Sequence, residues 1–285
     1  RTAMAIGADR SILVESDAAD LPGVAGLSDG RRLAWYDGTD TRSCTHNGVG
    51  PSRILLRRLA SDGSAEGAPE AVAIEDPLGA RTAPRLAAGA DSSVGIMWWR
   101  AGTGPGSACA LRFGVTDAAL TTVADGGVVD TGYSGRIVDA EDAFRVVWRR
   151  DSGAGPIGLG FVSFDHGAML LDAPVRCDLP FDGFWGDAEL AAGDHGLVAV
   201  LRGWDAGVEE RLFFVRTDLL GRTGDASCGA IEVDPSCTAA LGCEPGPFGV
   251  AWAGDAFVVV YFVTLDPGGP SPTSEMRMVR LVAEP

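Results

Sequence analysis

The chain has no lysine, no glutamine and a single asparagine, Asn47, among its 285 residues. Its 23 cationic side chains are therefore all arginines, set against 39 acids, for a net charge of −16. That negative field repels nucleic-acid phosphates and anionic lipid surfaces, so neither nucleic acid nor a membrane is an expected partner. Long apolar runs are missing as well. The longest, about ten residues around Ala256 to Val263, falls short of the roughly 20 needed by a membrane-spanning helix. The three histidines, His46, His166 and His195, are scattered and no C-x2-C pair occurs, so no metal ligands are assigned. The scarcity of side-chain amides fits a GC-rich coding bias, and it removes donors that sugar-binding sites often use.

What is present is ample apolar material, 46% of the residues, enough for a substantial core. Six cysteines and a first residue that is Arg rather than Met fit a mature secreted protein, extracellular or at a cell surface, with the periplasm as the alternative. Cys237 and Cys243, six apart in CTAALGCEPGP, are the expected local disulfide; the remaining connectivity stays open.

Laying the chain on itself reveals a repeat. GVAGLSDGRRLAWYDG, RLAAGADSSVGIMWWRAG, RIVDAEDAFRVVWRRDSG, ELAAGDHGLVAVLRGWDAG and GVAWAGDAFVVVYFVTLDPG align, with turn aspartates Asp29, Asp91, Asp142, Asp194 and Asp255. Their spacings of 62, 51, 52 and 61 residues define a structural period. A second series of strands ends at Asp62, Asp117, Asp165 and Asp218, with Glu284 near the corresponding place, and shorter strands such as EAVAIED and APVRCDLP follow. Each unit thus carries four strands, A to D, with Asp or Gly bending the chain between them. The B strands read almost continuously apolar, which is the pattern of strands covered on both faces. In this alignment Trp99 matches Trp35 and Trp148, which assigns Trp98 and Trp99 to the core rather than to an exposed platform.

Repeated four-stranded units of this kind resemble the β-propeller superfamily, in the style of secreted bacterial propellers. The sialidase-type S-x-D-x-G-x-T-W box and the WD40 signature are both lacking. The resemblance implies one all-β propeller domain over 1–285, with blades near 21–81, 82–135, 136–186, 187–246 and 247–285. Residues 1–20 are expected to supply the closing strand. A sixth unit around AIGADRSILV is the alternative.

Two familiar motifs fall inside the repeat. GLSDG around Ser28 matches a nucleophile elbow, but a strand follows where a helix is needed, so it is an A–B turn. GAGPIG, residues 153–158, has dinucleotide-fingerprint spacing, but it contains Pro156 and again runs into a strand. The pairs Arg31-Arg32, Arg57-Arg58 and Arg149-Arg150 alternate across strand faces and serve as ion-pair partners of an acidic surface. Histidines 166 and 195 are expected as surface turn residues.

The A–B and C–D turns are short and regular, whereas the B–C and D–A connections are long and varied. Binding residues concentrate on such loops. Four cysteines, Cys44, Cys109, Cys237 and Cys243, lie in or beside them, which suggests a stapled face. LPFDGFWGD supplies Phe181, Asp182, Phe184 and Trp185, and Tyr133, Arg136 and Trp204 would be their neighbours around the rim. The leading expectation is a secreted, non-enzymatic recognition or scaffold propeller binding a glycan or an extracellular protein through this face. The alternative is a glycoside hydrolase, which needs two carboxylates; the acids outside the turn register are Asp139, Asp187, Glu189 and Glu244. A subunit of a surface layer or filament is a third reading, with self-association left open. No cofactor is expected beyond a structural Ca2+, for which YDGTDT, with Asp37 and Asp40, offers oxygen ligands.

Overall fold

The computed structural model of the chain describes residues 23–27, 30–37, 53–60, 65–71, 84–100, 110–117, 123–150, 157–180, 183–194, 196–204, 210–222, 228–238 and 242–282. The expected closing strand, Ser28, Cys44, Cys109, His46 and His195 lie outside them. Among the described residues every regular element is a strand, and the strands form five antiparallel meanders. The first holds β1 (Gly23–Leu27), β2 (Gly30–Asp37), β3 (Arg53–Leu59) and β4 (Ala65–Ala71). The second holds β5 (Arg85–Ala88), β6 (Val94–Arg100), β7 (Ala110–Thr116) and β8 (Val123–Thr131). The third holds β9 (Tyr133–Ala140), β10 (Ala143–Arg150), β11 (Gly158–Asp165) and β12 (Val175–Asp178). The fourth holds β13 (Gly183–Gly193), β14 (Gly196–Trp204), β15 (Glu210–Thr217) and β16 (Ile231–Glu232). The last has three described strands, β17 (Cys243–Trp252), β18 (Ala256–Leu265) and β19 (Thr273–Val282).

The aspartates of the repeat earn their place through local hydrogen bonds. Asp165 accepts the N–H groups of Gly167 and Met169 on Oδ1, and Asp218 accepts those of Leu220 and Arg222 in the same way. Both loops close three residues, and the third, Ala168 or Gly221, has positive φ. That is a type I turn followed by a left-handed residue, a favoured three-residue hairpin. Glu141 and Asp142, both with positive φ, make the two-residue hairpin between β9 and β10.

The chain forms two compact units, Arg1–Tyr133 with Glu141–Phe144 and Ser163–Leu171, and Ser134–Ala140 with Arg145–Val162 and Asp172–Pro285. In the first, Trp98, Trp99, Leu111 and Phe113 are buried, and Phe113 stacks on Phe164 at 4.1 Å between ring centroids. The tryptophan pair is core, as the repeat implies. In the second unit the apolar faces of successive sheets interleave. Val147, Leu159, Leu190, Leu197 and Val215 make one buried cluster; Val198, Val200, Val259, Tyr261 and Val263 make another.

Cys177 and Cys228 form a buried disulfide in the first of these clusters. They are 51 residues apart, one period of the repeat, and closing so long a loop restricts the unfolded chain strongly. Replacing both by Ser is expected to cost about 4 kcal/mol, against about 2 kcal/mol for the short loop of Cys237–Cys243, measured by denaturant unfolding.

Trp148 is fully buried, and its ring lies across Gly160 on the neighbouring strand β11, where a Cβ would meet the indole at 2.2 Å. Gly160→Ala therefore overpacks this contact. It is expected to destabilise the protein by about 1–3 kcal/mol and to change the tryptophan emission, whereas Ala at the open position Gly249 leaves both unchanged.

Candidate functional site

The long connections of the second unit are built to hold a fixed shape. Asp234, just after β16, accepts hydrogen bonds from Ser236 N at 3.0 Å, Tyr261 Oη at 2.7 Å and Arg277 Nη1 at 2.7 Å. Burial alone would raise its pKa, but the bonds from Ser236, Tyr261 and Arg277 outweigh that and hold it at about 2. The same burial and the neighbouring Asp234 push the Tyr261 phenol up. Three residues beyond Asp234, Cys237 pairs with Cys243 as the sequence implies. Aspartate and disulfide together anchor the connection that delivers Glu244 on β17.

Glu244 lines a cleft of about 400 Å³ with Glu210, Asp266, Cys243, Gly242, Pro267 and Gly268. Glu210 opens β15 at the end of a B–C loop, Asp266 follows β18 in the next B–C loop, and Glu244 begins an A strand. The cleft thus sits at the end of the strands where the connections are long. Asp266 is folded back on its own turn: a Cβ on Gly269 would lie 1.8 Å from its Oδ2. Glu210 is ion-paired with Arg202 Nε at 3.4 Å. Glu244 is exposed and makes no ion pair with the described residues. Hydrolysis of a glycosidic bond uses a pair of carboxyl groups, and this cleft brings Glu210 and Glu244 together.

Of the other acids marked in the sequence, Glu189 is brought to Arg136. The guanidinium donates to both carboxylate oxygens, at 2.5 and 3.0 Å. This two-point pairing fixes the Arg136 guanidinium against Glu189. Glu189 follows an irregularity in which β13 carries two extra residues opposite β14 between Trp185 and Glu189. β17 has one extra residue between Pro245 and Phe248. Such bulges re-aim side chains near sites. Asp187 lies in the first of them, and Asp139 is half-buried on β9. Phe184, Trp185 and Tyr133 belong to described strands, β13 for the first two and β9 for the third; Phe181 and Asp182 lie outside the described residues. Trp204 is half-buried and packs on the hydrophobic cluster around Leu201.

Sequence reasoning missed Glu210 and Asp266. Both border loops it identified as long, so loop-edge acids were the available signal. In the first unit, Asp91, Ser93, Thr116, Asp117 and His166 line a second cleft, of about 280 Å³, at the short-turn end. His166 differs from the surface turn residue expected. Its ring lies 4.8 Å from that of Phe144, and Nδ1 is 3.1 Å from Asp91 Oδ1. Among the described residues no group of three or more His, Cys, Asp or Glu is arranged to hold a metal ion, and Asp40 lies outside them.

These antiparallel four-stranded sheets define the all-β propeller class. No protein-family model and no curated protein sequence matches the chain. Solved structures do match in fold. A family 93 α-L-arabinofuranosidase of Fusarium graminearum, in complex with arabinobiose, is 13% identical with a TM-score of 0.54, over 90% of this chain and 80% of that one. The Trypanosoma rangeli sialidase, in complex with the inhibitor DANA, is 14% identical with a TM-score of 0.52, over 92% of this chain and 45% of that one. At such identities the likeness concerns the fold.

These likenesses correct the expectation of a non-enzymatic recognition or scaffold propeller. Both of these propellers are glycoside hydrolases, and the expectation had rested on the regular repeat, the long aromatic loops and the lack of a catalytic motif, with Glu210 left out of the acids considered. The conditional reading, that an enzyme of this sequence would be a glycoside hydrolase, agrees with them. The two disulfides among the described residues fit an extracellular or secreted protein, and no helix among those residues is long and apolar enough to cross a membrane.

Asp234 gives the site's support a pH signature. Its folded-state pKa of about 2 lies below the ordinary 3.8, so its contribution is complete above about pH 4 and is lost as the pH falls through 2. Asp234→Asn is expected to lower stability at pH 7 by about 2 kcal/mol and to flatten the acid limb between pH 4 and 2, measured by thermal unfolding across that range.

Proposed function

We propose that the chain is a secreted propeller glycoside hydrolase that cleaves a glycan in the cleft between Glu210 and Glu244. The observation that carries this reading is the meeting of these two carboxylates, from adjacent sheets of the second unit, in one cleft at the long-loop end. Glu244, exposed and without an ion pair to the described residues, is the proton donor to the leaving oxygen. Glu210, ion-paired with Arg202, is the base or nucleophile. The five sheets among the described residues favour the five-bladed reading of the repeat over the six-bladed one.

A neutral sugar suits this cleft better than an acidic one. Residues 205–210, 234–247 and 266–272 contain Asp205, Glu209, Glu210, Asp234, Glu244 and Asp266 and no arginine. The guanidinium of Arg202 is engaged by Glu210 and the carbonyl of Pro245. An arabinose-containing glycan, the ligand class of the arabinofuranosidase it resembles, is therefore the first substrate to test, ahead of a sialoside.

The test is release of 4-nitrophenol from its α-L-arabinofuranoside, together with product analysis on arabinan and xylan oligosaccharides. Glu244→Gln is expected to lower kcat by about 10²–10⁴-fold with the fold intact by circular dichroism. Absence of glycan cleavage by the wild type, or full activity in Glu244→Gln, refutes the reading.

A further inference from the structure

One side chain joins Glu210 to the backbone beside Glu244. Arg202 lies on β14, in cross-strand register with Trp185 on β13 and Leu212 on β15. Its Nε is 3.4 Å from Glu210 Oε2. Its Nη1 donates to the carbonyl of Pro245 at 3.1 Å. Pro245 is the residue after Glu244 and the last before the register shift of β17 against β18. The guanidinium therefore reaches from the fourth sheet, where Glu210 begins β15, to the fifth, where the backbone beside Glu244 enters its bulge.

We propose that Arg202 is a positioning residue that sets the placement of Glu210 relative to Glu244; the proposal rests on reading the cleft as a hydrolytic site. The geometry asks for arginine. A planar guanidinium offers several donors at fixed angles and can hold a carboxylate and a carbonyl at once, whereas a lysine ammonium is a single point on a flexible stem. A bulge left without this tie is free to shift its flanking residues, and a displacement of about 1 Å in a catalytic group lowers rate by as much as about 10²-fold. Arg202 acts through Glu210 and the backbone beside Glu244 rather than on the sugar, since its contacts run to Glu210 and to the carbonyl of Pro245. Its loss should therefore reduce turnover more than substrate binding.

The experiment compares wild type, Arg202→Met, Arg202→Lys and Glu244→Gln on 4-nitrophenyl α-L-arabinofuranoside and on the oligosaccharides cleaved by the wild type, with thermal unfolding of each variant. Arg202→Met is expected to lose about 10- to 100-fold in kcat with KM changed less than about threefold, and Arg202→Lys to recover part of that loss. A purely structural role would instead lower the unfolding temperature or the active fraction while kcat per folded molecule stayed at the wild-type value, and that result overturns the proposal. Unchanged kcat in Arg202→Met alongside an inactive Glu244→Gln removes Arg202 from its role and leaves the hydrolytic reading standing. Full activity in Glu244→Gln removes both.

Discussion

Burial of the central strands on both faces is the constraint from which the rest follows. Val94 to Trp99, Ala143 to Trp148 and Leu197 to Leu201 are buried without a break, so neither face of these strands meets water. A single sheet against a single layer cannot satisfy such strands; sheets stacked face to face can. Stacking fixes the strands and leaves variation to their ends. One end is closed by short Asp-based turns, and the other is left to long connections on a rigid frame.

The composition shapes how those connections are held. With no lysine and a single side-chain amide, polar cross-links fall largely to arginine, aspartate and glutamate. Arg136 with Glu189, Arg202 with Glu210 and Arg277 with Asp234 each tie separate strands together. Exposed ion pairs contribute little. Asp234 is different, because its side chain is only 12% exposed and gathers hydroxyl, amide and guanidinium donors together. It and the Cys237–Cys243 disulfide fix the approach to β17, and hence the starting point of Glu244.

Much of this was legible in the sequence, for identifiable reasons. The turn aspartates recur with a period, so the four-stranded units and the buried Trp99 and Trp148 could be read from alignment of the chain with itself. Cys237 and Cys243 were close enough to pair locally. The Cys177–Cys228 bridge carried a signal that passed unread: its separation of 51 residues equals one repeat step, which joins like positions of neighbouring units. Pairings across sheets carried no such signal. Arg136 and Glu189 were each marked, but 53 residues separate them and nothing local connects them. The joining of Glu210 and Asp266 to Glu244 depends on how two loops fall together. Function was least legible, because a propeller frame serves many chemistries and only the site distinguishes among them.

The central claim is that the cleft between Glu210 and Glu244 is where a glycan is cleaved. The most direct measurement is a crystal structure of Glu244→Gln with a bound arabino-oligosaccharide. The account predicts a glycosidic oxygen within hydrogen-bond reach of the residue at 244, with Glu210 on the other side of that bond. A sugar bound only at the short-turn end, beside Asp91 and His166, would contradict it.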